Sequence, residues 1–219
     1  MWNRILIVAS HPDDDILGCG GFIAASSRID GVEIRTIYVS NGVGSRDDNP
    51  DDAVEKRLDA MQKANVIVGV ERAEVGLFED QRFDQYPIIE LTKWVEGFVD
   101  DFKPTAVLTH SAADLNCDHR CTHEAVVTAC RPVPESSVRI LLFFEVASST
   151  EWGEGAFKPT VYLPVNLNAK MAALRCYTGE LRNYPHPRSM TNITNKALLR
   201  GSEVGLPVRE AFELGRMTL

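Results

Sequence analysis

Apolar residues run unbroken from Ile5 to Ala9 and then stop. A run of that length fits a buried strand and is too short for a helix. The glycines at 18, 20 and 21 let the chain turn into a helix over residues 21–28. Residues 32–39 alternate and predict a second strand. A helical period follows over 51–64, with Val54, Leu58 and Met61 on one face. Residues 75–78 predict a short strand. Residues 87–102 predict an amphipathic helix opening on Pro87, with Leu91, Val95 and Val99 on its inner face. A third buried strand covers 105–110 and leads into a polar stretch, SAADLNCDHRCTHE, where a further helix starts. Residues 139–146 predict a strongly apolar strand, and 157–165 another, antiparallel one. From Leu167 the pattern is helical, with Met171, Leu174 and Leu181 spaced for burial. The break YPHPRS at 184–189 precedes a helix capped by Ser189 or Thr191, and residues 207–217 predict a short final helix.

Strands and helices alternate through the first two-thirds of the chain. The expected fold is α/β: a mainly parallel sheet with helices on both faces and a helical C-terminal part. No shift in composition, repeat or low-complexity run divides residues 1–219, which are read as one domain.

Composition narrows the function. A formal charge of −8 with no basic run argues against nucleic-acid binding. No apolar stretch approaches the roughly 20 residues of a membrane span. No signal-peptide pattern precedes the first strand, so a soluble cytoplasmic protein is expected. The five cysteines are odd in number and give no disulfide framework, which fits reduced thiols.

The chemistry gathers at two strand ends. The first strand stops in His11-Pro12-Asp13-Asp14-Asp15. Burying so many carboxylates without a counter-charge is costly, and a cation removes that cost. An Asp-rich helix cap explains one or two acids, not the whole group. The second strand end supplies Asn116-Cys117-Asp118-His119. One arrangement is a structural zinc site of Cys117, His119, Cys121 and His123, but its alternating spacing is unlike two separated ligand pairs. The better one takes His11, Asp14 and His119 as metal ligands. Three protein ligands leave a position open, as in catalytic zinc sites. Asp13 is then free to act as general base, and Asp118 to orient a histidine. Arg46, in the loop after the second strand, is either a substrate contact or a surface partner of Asp47 or Asp48. Arg82, in the loop EDQRFD, either holds that loop together or reaches the site. Zinc is the expected ion, with Fe2+ or another divalent metal as the alternative.

These residues resemble the LmbE/PIG-L family of zinc-dependent de-N-acetylases of N-acetylglucosaminyl compounds. The resemblance rests on His11-Pro12-Asp13-Asp14, Asp118-His119-Arg120 and His123-Glu124-Ala125-Val126. It extends to Gly42 through Arg46, Asp80-Gln81-Arg82, the stretch SSTEW at 148–152, YPHPRS at 184–189 and RGSEVG at 200–205. In these parts the chain looks like the branch found with bacterial sugar and surface-polysaccharide enzymes. The resemblance implies a Rossmann-like sandwich, zinc on His11, Asp14 and His119, and Asp13 as the base that activates water. It implies a free or conjugated N-acetyl amino sugar as substrate; a homo-oligomer is also kept open. Two positions depart from the family pattern. Asn116 stands where the family has a histidine, and Asp15 where it often has glutamate. An amide donates a hydrogen bond but cannot serve as a general acid. His186, His110 or Asn116 itself is left to hold the oxyanion, and His186 or His110 to supply the missing acid. The rivals are a zinc hydrolase of a non-sugar N-acyl metabolite and a non-catalytic sugar-binding protein. A nicotinamide enzyme is disfavoured, because the glycines at 18–21 lack the full G-x-G-x-x-G spacing.

Overall fold

A computed structural model describes residues 2–44 and 50–218. The first strand, β1 (Arg4–Ala9), lies between β2 (Glu33–Tyr38) and β4 (Ala106–His110), parallel to both. β3 (Arg72–Val75) adds to the outer side of β2, and β5 (Ile140–Phe144) to that of β4. Alternation along β1 decides the layers, since successive side chains point to opposite faces. Ile5, Ile7 and Ala9 enter one core and Leu6 and Val8 the other. The first core is closed by α1 (Asp14–Ser26), α2 (Ala53–Val68) and α5 (Leu167–Leu174). The second is closed by α3 (Ile88–Phe102) and α4 (Cys117–Ala129). The expected α/β sandwich is therefore present, with both faces covered as a parallel sheet requires.

With β6 (Val161–Pro164) and β7 (Arg209–Met217), the sheet order is β3-β2-β1-β4-β5-β7-β6. The chain leaves β1 to one side for β2 and β3, then returns to the other side for β4. The carboxyl ends of β1 and β4 thus flank a topological switch point, where open α/β sheets form crevices.

Several sequence expectations are corrected. Residues 209–217 form no helix; they are β7 (Arg209–Met217), antiparallel to both β5 and β6 (Val161–Pro164). Arg, Glu, Ala and Leu favour a helix locally, but β5 would otherwise present an unpaired apolar edge. Pairing overrides propensity there. The strand expected at 75–78 lies earlier, at Arg72–Val75, in register with β2. α1 starts at Asp14, well before residue 21, so the glycines sit inside it rather than before it. Val54 is exposed, whereas Met61 is buried. The C-terminal part is helical only through α5 and α6 (Met190–Ser202), the latter capped by Ser189.

Candidate metal and catalytic site

β1 ends in Ser10 and His11, and the chain turns at Pro12 into α1. Asp13, the N-cap residue, has a φ of 136°. A non-glycine residue there is strained, and such strain concentrates at functional sites. Asp14 follows in the first helical turn, where the backbone N–H of His11 donates to its Oδ2 at 2.9 Å. That oxygen lies 3.2 Å from His11 Nδ1 and 3.2 Å from His119 Nε2. His119 comes from the first turn of α4. The structure therefore brings together His11, Asp14 and His119, all buried, with their ligand atoms within 4.8 Å of one another.

Each imidazole has a carboxylate behind it. His11 Nε2 is 3.0 Å from Asp118 Oδ2 and 3.0 Å from Asp80 Oδ1. His119 Nδ1 is 3.1 Å from Asp114 Oδ1, without the alignment of a hydrogen bond. These acids are themselves anchored. Asp118 accepts the backbone N–H groups of Gln81 (2.6 Å) and Phe83 (3.1 Å). Asp114 accepts from the hydroxyls of Ser149 and Thr150. Asp80 accepts from Gly44 N at 2.9 Å.

The donor set fits a divalent ion. Four buried carboxylates, Asp14, Asp80, Asp114 and Asp118, face two imidazoles. Burial works against charge on His119, but Asp14 and Asp114 outweigh it and raise its pKa to about 9. Burial likewise opposes charge on His11, and hydrogen bonds to Asp118, Asp14 and Asp80 raise its pKa well above the usual value. Asp14 is held well below the carboxylate range by His119 and His11, despite its burial. The cluster thus calls for positive charge, which a divalent ion supplies at a single centre. Mixed imidazole and carboxylate donors suit zinc or a similar metal, and carboxylates behind the ligand histidines are typical of metal sites.

Two other groups of potential ligands overlap this one: His110 with Asp114 and His119, and His11 with Asp80 and Asp118. His110 Nε2 already accepts the Ser10 N–H at 2.9 Å, and Asp118 is engaged with the loop at 81–83. Among the described residues no such group contains a cysteine. The expected alternative of Cys117, His119, Cys121 and His123 is therefore not formed. His123 instead places Nδ1 2.8 Å from the His110 carbonyl.

Asp13 stands beside the cluster in a ring of alternating charges. Its Oδ2 is 3.4 Å from Arg57 Nη1 and 3.3 Å from Arg188 Nη1. Glu180 closes the ring, 2.6 Å from Arg57 and 3.3 Å from Arg188. Burial pushes the Asp13 carboxyl up to about 6, against the pull of the two guanidiniums. A cavity of about 250 Å³ opens on the Arg57–Glu180 side, lined also by Gly42, Val43 and Tyr177.

The remaining expected site residues are less central. His110 is fully buried and stacks on His119 with ring centroids 4.0 Å apart. Burial holds its pKa well below the usual value, so it stays neutral. Asn116 caps α4, its Oδ1 accepting from Asp118 N at 2.8 Å. His186 accepts the Arg188 N–H at Nδ1 and meets Trp152 edge-on at 5.5 Å. Arg82 is exposed and 3.4 Å from Glu79; its loop reaches His11 through Asp80 instead. Arg46 lies outside the described residues. Sequence reasoning missed Asp114, Arg57, Glu180 and the role of Arg188. Arg57 carried a signal, because its spacing to Ala60 and Ala64 puts it on the buried face of α2. Asp114 stood five residues before His119 in the polar stretch already singled out, whereas Glu180 and Arg188 meet Arg57 and Asp13 only through long-range contacts.

Comparison with known proteins agrees with this geometry. The chain is 26% identical over 182 residues to an uncharacterized deacetylase, YaiS, of Escherichia coli K12, covering 78% of this chain and 88% of that one. The fold superposes on the N,N'-diacetylchitobiose deacetylase of Pyrococcus horikoshii with a TM-score of 0.79 at 16% identity, over 97% of this chain and 84% of that one. It also superposes on GalB, the 4-carboxy-2-hydroxymuconate hydratase of Pseudomonas putida KT2440, with a TM-score of 0.75 at 20% identity, over 99% and 98% of the two chains. The shared fold thus does not fix the reaction. The family model described as PIG-L, GlcNAc-PI de-N-acetylase, matches residues 6–130, which span β1 through α4 and carry His11, Asp13, Asp14 and His119. More than half of the chain is covered by that match, and the chain belongs to the PIG-L family of deacetylases.

Proposed function

We propose that this protein is a metal-dependent hydrolase that removes the N-acetyl group from an amino sugar, free or conjugated. The observation that carries the reading is the Asp14 carboxylate shared between His11 and His119, with a second carboxylate, Asp13, beside it and outside the ligand set. His11, Asp14 and His119 would hold the ion, zinc being the best match to the donors. When bound, such an ion polarises the acetamide carbonyl and makes water more acidic. Asp13 takes the proton from the attacking water at Oδ2, and a separate acid protonates the nitrogen as the C–N bond breaks, giving acetate and the free amine. Its position near pH 6 suits a group that must accept and then release a proton. Arg57 and Arg188 keep Asp13 ionised and fix its direction. His186, on the same loop as Arg188, is the candidate for protonating the leaving amine. His110 supports His119 through stacking. Asn116 positions α4 through its cap. Arg46 is proposed as a substrate contact, and Arg82 as a support of the loop at 79–84.

Two rivals remain distinct in experiment. A non-sugar N-acyl compound would use the same site. Asn116, in place of an imidazole, favours a protein that only binds sugar; the strained, separate Asp13 argues against it. Zinc-loaded protein should be screened for amine release from N-acetylglucosamine, N,N'-diacetylchitobiose and N-acetylated amino acids. Amine from the sugars alone is expected, and Asp13→Asn should remove it while leaving the metal bound. Amine only from the amino acids would transfer the activity to the first rival. Sugar binding without amine from any compound would establish the second.

A further inference from the structure

α1 is interrupted at Cys19, whose φ of −139° and ψ of 17° are not helical. In an unbroken helix the Gly21 N–H would bond to the Leu17 carbonyl. Here the two groups are joined through an ion pair. Gly21 N donates to Glu210 Oε1 at 3.0 Å, and Phe22 N to Glu210 Oε2 at 2.7 Å. Lys170 Nζ is 2.5 Å from Glu210 Oε1 and donates to the Leu17 carbonyl at 2.7 Å. Glu210 comes from β7 and Lys170 from α5, and each is only 5% exposed. Close packing fixes the break on both sides. A Cβ at Gly18 would lie 2.4 Å from the Phe144 ring, and one at Gly21 2.8 Å from Val165 Cβ.

A buried ion pair is a weak source of stability, because apolar residues of similar volume often serve as well. Its position suggests another role. The half of α1 ahead of the break carries Asp13 and Asp14, and the Leu17 amide closes that turn on the Asp13 carbonyl at 2.8 Å. We infer that the Lys170–Glu210 pair sets the direction of this first turn and so places Asp14 between His11 and His119. Lys170 and Glu210 are then positioning residues. They lie beyond the stretch matched by the family model, and they act on ligands at its start. The inference rests on the metal reading proposed above.

The test is calorimetric titration of zinc chloride into metal-stripped protein, with Tm measured on the same samples. The variants are Lys170→Met, Glu210→Gln, the double variant, and Val99→Ala, a core change on the opposite face of the sheet. Native protein should bind zinc, and His11→Ala should not. Both single variants should bind at least tenfold more weakly than native, whereas Val99→Ala should lose Tm without losing affinity. Lys170→Met and Glu210→Gln variants that fold and bind zinc as tightly as Val99→Ala would overturn the inference. If a single variant fails to fold, the double variant decides by the same criterion, since it leaves no unpaired buried ion. A double variant that also fails to fold assigns the pair to fold stability and overturns the positioning role. If native protein binds no zinc, the metal reading falls, and this inference falls with it.

Discussion

Arg188 Nη1 stands 3.3 Å from Asp13 Oδ2, tying the loop before α6 to the cap of α1. Both Arg188 and Arg57 oppose the upward push of burial on Asp13, which sits at about 6. As the proposed base, Asp13 must be ionised, so losing a cation should move the acid limb of the pH–rate profile upward. Arg188→Gln is expected to shift that limb by about one pH unit. Its turnover should be low at pH 6 and recover in part at pH 8. An unmoved limb in kcat/KM against pH would separate Arg188 from the base.

Metal retention tests the ligand set. Metal analysis after dialysis should show loss of the ion in His11→Ala, Asp14→Ala and His119→Ala. Asp118→Asn should still bind, with affinity reduced roughly 10–100-fold, as for other partners of ligand histidines. Cys117→Ser and Cys121→Ser should bind as native protein does. Metal loss confined to the cysteine variants would reverse the assignment.

His186 and His110 separate cleanly. His186→Ala should keep its metal, lower turnover by about 10²-fold, and flatten the alkaline limb of the pH–rate profile. His110→Ala should lose thermal stability, because it opens a hole beneath His119 and leaves the Ser10 N–H unpaired. If His110→Ala removes the alkaline limb and His186→Ala does not, their roles are exchanged.

Asp15 gives a stability signature. Tyr38 has one hydroxyl proton but two acceptors nearby, Asp15 Oδ2 at 2.8 Å and Asn65 Oδ1 at 3.2 Å. A protonated Asp15 resolves this by donating to Tyr38, which then donates to Asn65. Burial indeed pushes Asp15 up to about 7. Between pH 4 and 7 the folded chain therefore holds a proton that the unfolded chain has released. Folding takes up that proton, so this contribution to stability is full below pH 4 and lost as pH rises to about 7. Urea denaturation across that range should show the decline, and Asp15→Asn should make it shallower, leaving the share of Asp13, which burial pushes up to about 6. A decline of equal slope in the variant would place its source elsewhere.

The legible parts of this molecule were those written in contiguous residues. The run Ile5–Ala9 dictated a buried strand, and HPDDD at its end pointed to His11 and Asp14. The same logic applied to β4 and His119. What resisted reading depended on partners far along the chain. β7 carries helix-forming residues and becomes a strand only because β5 offers it an edge. Glu180 looks like an ordinary surface acid until α2 brings Arg57 against it. The break in α1 was visible as glycines, yet its position inside the helix depends on the Phe144 ring and Val165.

The place of β7 inside the sheet has a consequence for biosynthesis. His11, Asp13 and Asp14 leave the ribosome long before Glu210 does. Until residues 209–217 pair with β5 and β6, the apolar edge of β5 stays bare and the break in α1 lacks its acid. The nascent chain should therefore pass through a long interval in which the proposed ligands exist but are not yet held in place. Chains stalled on the ribosome with β7 still inside the exit tunnel should gain no protection from protease when zinc is added, whereas released protein should; protection of the stalled chains would show that the early strands organise the proposed ligands unaided.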